Sequence, residues 1–325
     1  MDKTSPAKPF PWQALLKLVV TAGVLALIVR FVPLESIWEG MQRLSPLVWL
    51  AVLAAFILGH LVNALKWYLL IGRGLRFGTV AKAHFAGLAS NLVLPGTSGG
   101  DVTRAALLTR EHGALSELVT GSIVDRLIDV SILVLLAAIA ASLLASTGDT
   151  GRALQLSAVL LIALGGLTYL ALPVLDRWLK GKFKSEAPSR VIKLVLEISD
   201  FLTRHRNRIL VCAALSGAIQ FGFVALNALL SANMGGPTNI WAWMFAWPLA
   251  KLIATLPISL GGLGVREASL ASIFAGLGFA APVVVAVGLV WQTIVLGGGL
   301  FGLAVQFVSR GSRDEKLSES NVRTN

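Results

Sequence analysis

Two stretches of the chain decide how it is read: residues 94–108, LPGTSGGDVTRAALL, and residues 256–270, LPISLGGLGVREASL. At an offset of 162 residues, seven of the fifteen positions are identical: Leu94/Leu256, Pro95/Pro257, Gly99/Gly261, Gly100/Gly262, Arg104/Arg266, Ala106/Ala268 and Leu108/Leu270. The offset is about half of the 325-residue chain, as a duplication would leave it. Proline lacks an N–H donor and clashes with the preceding turn, so Pro95 and Pro257 each end a first half-helix. The pairs Gly99–Gly100 and Gly261–Gly262, with Gly96 and Gly264 beside them, permit a tight turn and close backbone approach. A second half-helix then starts, and its free N–H groups favour an anion. Arg104 and Arg266 follow on that half-helix, where a guanidinium suits a phosphate or another anionic head group.

Outward from these stretches the chain is apolar. Hydrophobic residues make up 55% and charged residues only 14%, against about 25% charged in soluble domains. No charge occurs within residues 44–65, 130–148, 153–175, 209–250 or 268–309. A bilayer span takes about 20 apolar residues, so the first three gaps hold one span each. The last two, of 42 residues each, hold more than one crossing. Backbone polar groups in lipid must be satisfied within the segment, and the alternating pattern of a β-barrel is missing. The expectation is an all-α polytopic membrane protein with about eight hydrophobic segments. Six are full spans, at 15–32, 46–65, 119–145, 153–175, 209–231 and 282–308. The stretches 83–108 and 241–279 are broken by Pro and Gly. They are expected as re-entrant helical hairpins, although a plain hydropathy count scores them as spans.

Charge sets the orientation. The net charge is +11, and 20 of the 28 basic residues fall in the N-terminal tail, the connection from Lys66 to Lys82, the stretch 176–208 and the C-terminal tail. By the positive-inside rule these regions are cytoplasmic. The layout is then a tail at 1–12, one transmembrane domain at 13–310 and a tail at 311–325. Loop 176–208 joins halves at 13–175 and 209–310. Both termini lie in the cytoplasm. One hairpin enters from the cytoplasm and the other from outside, which is an inverted repeat. Gly/Pro-broken segments at corresponding places in such a repeat mark a binding site. Within the loop, residues 188–203 place Val191, Val195, Ile198 and Leu202 on one helical face. That helix either lies on anionic lipid or packs on the bundle.

Other charges in apolar surroundings belong to the candidate site. Asp101 precedes Arg104 by three residues and pairs along one face. Glu267 follows Arg266 directly and so points elsewhere. Asp125 and Asp129 share a face beside Arg126, and one of the two carboxylates answers Arg104. Asn91 caps or bonds the broken end of the first hairpin. Lys251 either lines the site or snorkels, as does Lys66. His60 and His84 read as structural. Cys212, the single cysteine, reads as a small core or lipid-facing residue and excludes a disulfide framework. Trp12, Trp38, Trp49, Trp67, Trp241, Trp243 and Trp247 fall near span ends, as an aromatic belt. No P-loop, HExxH, GxSxG or metal-ligand pattern occurs, so neither ATP-driven pumping nor a cofactor is expected. The excess basicity faces the membrane, and nucleic acid is not expected as a partner.

The residues 91–104 (NLVLPGTSGGDVTRA, to 105), SIVDRLID at 122–129 and PISLGGLGVRE at 257–267 together make the chain resemble the lysylphosphatidylglycerol synthase transmembrane-region family, also called flippase-like. The resemblance runs over about residues 10–310. It implies an integral membrane protein of the bacterial cytoplasmic membrane, associated with lipid translocation. The better-known members add a soluble aminoacyl-transfer domain. Here about fifteen residues follow the last span, so that domain is expected to be absent. The leading expectation is a lipid flippase for a phosphate-bearing lipid, held by Arg104 and Arg266, with Asp101, Asp125 and Glu267 balancing charge or carrying protons. A membrane-embedded transferase using Asp101 or Asp125, or an anchor for a separate soluble enzyme, are the alternatives.

Overall fold

The computed structural model describes residues 34–71, 74–92, 99–112, 115–144, 190–256 and 262–323, with isolated positions elsewhere. The expected spans at 15–32 and 153–175 lie, but for isolated positions, outside the described residues, as do Pro95, Gly96, Pro257 and Gly261. Ten helices are described: α1 (Leu34–Arg43), α2 (Pro46–Ile71), α3 (Phe77–Ser90), α4 (Gly99–His112), α5 (Leu115–Leu144), α6 (Arg190–Arg204), α7 (Arg206–Asn233), α8 (Ile240–Thr255), α9 (Val265–Gly276) and α10 (Ala281–Arg323). No strand occurs among the described residues. Within α2, α5, α7 and α10, four segments of 26 to 29 residues are long and apolar enough to cross a bilayer. At about 1.5 Å per residue, each exceeds the roughly 30 Å hydrocarbon core. They correspond to four of the six expected spans. The chain is a multi-pass helical membrane protein.

Each of the two Pro/Gly-interrupted stretches holds two helices that pack on each other. In the first, α3 packs on α4; in the second, α8 packs on α9. The glycines explain the close approach. A Cβ on Gly87 would lie 2.6 Å from the Gly100 carbonyl oxygen. At the matching place in the second unit, Gly262 has φ +80°, and a Cβ there would lie 2.8 Å from Ala254 Cβ. Each second half-helix is held by a side chain of its own unit. Gly100 N donates to Asn91 Oδ1 (2.7 Å), and Gly264 N donates to Glu267 Oε2 (2.8 Å). These bonds satisfy donors that a helix start leaves open.

The helix packing repeats between the halves. Pairing α1–α5 with α6–α10 in order maps the packing onto itself: α3 on α10 matches α8 on α5, α2 on α3 matches α7 on α8, and α1 on α10 matches α6 on α5. The counterpart spans α2 and α7 pack on each other and run antiparallel. Phe56 stacks on Phe223 at one level, while Cys212 Sγ lies 3.6 Å from the Lys66 carbonyl at another. The main core lies where the halves meet and includes Phe56, Phe223, Trp243, Trp247, Phe274 and Trp291.

One expectation changes here and one open alternative is decided. Trp67, Trp243 and Trp247 are buried among helices, so they leave the aromatic belt, whereas Trp38 and Trp241 remain exposed. Between the two readings of the loop helix, α6 packs on the bundle: Ile198 is buried, Leu194, Phe201 and Leu202 pack beside it, and Thr120 Oγ1 donates to Glu197 Oε2 (3.2 Å). Cys212 is a buried core residue, as read from its surroundings.

Replacing Gly87 by Val should therefore force α3 and α4 apart, at a cost on the order of 1–3 kcal/mol. A lower thermal unfolding midpoint of the detergent-purified protein is expected. Gly217→Ala, where a Cβ meets nothing within 4 Å, should leave the midpoint equal or raise it.

Candidate functional site

A cavity of about 700 Å³ opens between the two hairpins. Its lining includes Asn91, Gly100, Asp101 and Arg104 from the first unit and Lys251, Leu263 and Arg266 from the second. The long helices add His60 and Asn63 (α2), Asp125, Arg126 and Asp129 (α5), Gln220 and Phe223 (α7) and Gln292 and Leu296 (α10). The two arginines expected from the repeat thus meet at one chamber. Gly99 begins α4 and is partly buried; Gly262 and Gly264 shape the turn into α9. Neither Gly99 nor these two lines the cavity directly, and Glu267 is fully buried behind Arg266.

The first half carries a chain of alternating charges. Asp129 bonds Lys66; Lys66 Nζ lies 3.0 Å from Asp125 Oδ1; Arg104 donates to Asp125 Oδ2 (3.1 Å). Arg104 Nε lies 3.2 Å from Asp101 Oδ1, and Arg126 reaches Asp101 Oδ2 at 2.5 Å. Ser216 Oγ from α7 ends the chain on Asp129 (2.5 Å). Three cations face three carboxylates, so the chain is neutral. Lys66, Arg104 and Asp125 are buried, and a buried charge without its partner is costly. The Arg104 guanidinium also lies 4.3 Å over the Trp67 ring, which favours a flat, weakly hydrated cation.

The second half is sparser. Arg266 donates to Glu267 Oε1 (2.5 Å) and to the Gly288 carbonyl (3.1 Å), and sits 5.4 Å from the Trp247 ring. Lys251 Nζ donates to Gln220 Oε1 (2.8 Å) and lies 5.7 Å from the Phe223 ring. Pro248 interrupts α8 one turn before Lys251 and lacks the N–H that would bond the Met244 carbonyl.

Several readings from sequence are corrected. Lys66 neither snorkels nor counts among the loop charges: it is buried, with carboxylates on two sides. Glu267 does not point away from Arg266, because its side chain turns back over the start of α9 and meets the guanidinium on the way. His60 and His84 are not lone residues: His60 Nδ1 and His84 Nε2 are 3.1 Å apart on the cavity wall. One of these two nitrogens must accept, so both cannot carry a proton in this arrangement. Asp125 answers Arg104 while Asp129 answers Lys66, and Lys251 lines the cavity. Gln220, Gln292 and Asn63 had no signal in sequence beyond being polar residues in apolar runs. No group of His, Cys, Asp and Glu among the described residues suits a metal ion.

Fold and site together define a multi-pass membrane protein with a charged chamber between two broken-helix units. The chain belongs to the family described as the lysylphosphatidylglycerol synthase TM region, matched over residues 14–302. No curated protein matches it. The family description ties the chain to lipid-related membrane function.

Lys66→Met should leave Asp125 and Asp129 facing each other without their shared cation, at a cost of about 3–5 kcal/mol. The unfolding midpoint in detergent should fall, and adding Asp129→Asn should recover part of it. Equal midpoints for the single and double variants would contradict the charge chain.

Proposed function

We propose that this protein moves a phosphate-bearing lipid between the leaflets of the bacterial cytoplasmic membrane, with both termini in the cytoplasm. The observation that carries this reading is the single chamber lined by both hairpins, with Arg104 and Arg266 in its wall. The hairpins are taken as re-entrant, one from each side. The antiparallel packing of α2 on α7 and the exchangeable packing of the two halves support that inverted arrangement. Such a fold offers the chamber to either leaflet by rocking one half against the other.

The lining suits a molecule with an anionic head and an apolar tail. Charged residues from both halves line the cavity, and so do the apolar Leu92, Leu263, Val295 and Leu296. Leu296 lies near the middle of a spanning segment and is half exposed, a depth at which acyl chains are the surroundings. Transport is favoured over transferase chemistry because Asp101 and Asp125 are each committed to basic side chains.

Reconstitution in liposomes with a fluorescent phosphatidylglycerol tests the reading. The Arg104→Ala/Arg266→Ala double variant should lose transbilayer movement. Leu296→Trp, at a half-exposed position compatible with folding, should slow it severalfold by narrowing the cavity. Transbilayer rates equal to wild type in both variants would overturn it.

A further inference from the structure

The cavity is not symmetric in its chemistry, although the helices around it are. In the first half the cations at the cavity, Arg104 and Arg126, and Lys66 behind them each face a carboxylate, through the chain from Asp129 to Arg126. Arg104 in particular is held by Asp101, Asp125 and the Trp67 face. In the second half, Arg266 is balanced by Glu267. Lys251 differs. Its partners are a neutral amide and an aromatic ring, and no carboxylate pairs with it among the described residues.

Three more donors in the wall of the chamber, all from the second half, have no acceptor: Trp247 Nε1, Arg266 Nε and Gln292 Nε2. All three side chains belong to residues that line the cavity, and Trp247 and Arg266 are at least nine-tenths buried. Buried donors are nearly always satisfied, so several unsatisfied ones beside a cation with no carboxylate paired to it call for an acceptor with negative charge. The first half also holds such donors in Arg104 and Trp67, but Arg104 Nε lies 3.2 Å from the Asp101 carboxylate and Trp67 does not line the cavity. At the offset of the repeat, Lys251 corresponds to Ala89, Trp247 to Phe85 and Gln292 to Val130, none of which offers a side-chain donor.

We propose that the anion-binding site of the cavity is built by the second half alone, with Lys251 as its charged centre, Trp247, Arg266 and Gln292 as its hydrogen-bond donors, and a phosphate group as its ligand. Arg104 then serves the scaffold, holding α4 to α5. The proposal rests on reading the cavity as a ligand chamber, and it names the half whose residues hold the head group. A tetrahedral phosphate with several acceptor oxygens matches three neutral or shared donors plus one ammonium. The phosphate is either part of a lipid or free, and the two share this chemistry.

The test measures binding apart from transport. The full chain in neutral detergent is titrated with phosphatidylglycerol-doped micelles in one arm and inorganic phosphate in the other, and the ligand-induced shift in unfolding midpoint gives the affinity. Lys251→Met should weaken binding at least tenfold, and Lys251→Arg should keep it within a few fold. Lys82→Met, which removes an exposed charge on α3, should not change it. Should Lys251→Met fail to fold, Gln292→Leu supplies an independent loss of a few fold on another helix. Lysine-dependent binding of either probe supports the site. If inorganic phosphate binds in this way and the lipid does not, the site stands and the lipid-transport reading falls. Wild-type affinity in Lys251→Met and Gln292→Leu for both probes overturns the proposal, whatever the transport assay gives.

Discussion

The chain of alternating charges from Asp129 through Lys66, Asp125, Arg104 and Asp101 to Arg126 is the interaction on which the first half depends. It ties α2, α4 and α5 together, and Ser216 extends it to α7. In an apolar bundle within a bilayer no water shell compensates an ion, so each charge must find its opposite or be excluded. That requirement sets where α4 sits. A half-helix with an arginine and an aspartate three residues apart has one place where both are matched, against the Asp125–Arg126 pair on α5.

The second hairpin answers the same requirement differently. Glu267 neutralises Arg266 within one helix and also holds the Gly264 N–H at its start. The unit is therefore self-contained, and its lysine and spare donors remain turned to the chamber. One half is locked by ion pairs across helices, and on the proposed reading the other carries the binding capacity. For a protein built of two exchangeable packing units, that reading assigns the rigid frame and the ligand chemistry to different halves around one cavity.

Much of this was legible in the chain. The start of a helix after each Gly/Pro cluster, the role of Asn91 and the pairing of Asp101 with Arg104 follow from local rules of helix chemistry, whereas the choice of Asp125 over Asp129 as the second partner of Arg104 came from the fold. The ion pairs of Lys66 and the contact between the two histidines escaped the sequence for a common reason. The partners lie on other helices: Asp125 and Asp129 are some sixty residues from Lys66, and His84 is 24 residues from His60. No spacing rule connects such positions. The tryptophans show the same limit, since a residue near a span end faces lipid or neighbour according to which helices surround it.

By itself the sequence determined the class of the molecule. Apolar length, charge-free gaps and a repeated Pro–Gly–Gly–Arg pattern specify a helical membrane protein with two broken segments, because backbone satisfaction in lipid and proline's missing donor act locally. Tertiary structure alone decided which charges are neutralised and which are left open. That outcome depends on the antiparallel packing of α2 on α7 and on each hairpin lying against the other half's long helix. Electrostatic pairing in a medium of low dielectric is a property of neighbours in space, and only the folded bundle brings Lys66 to its carboxylates while leaving Lys251 without one among the described residues.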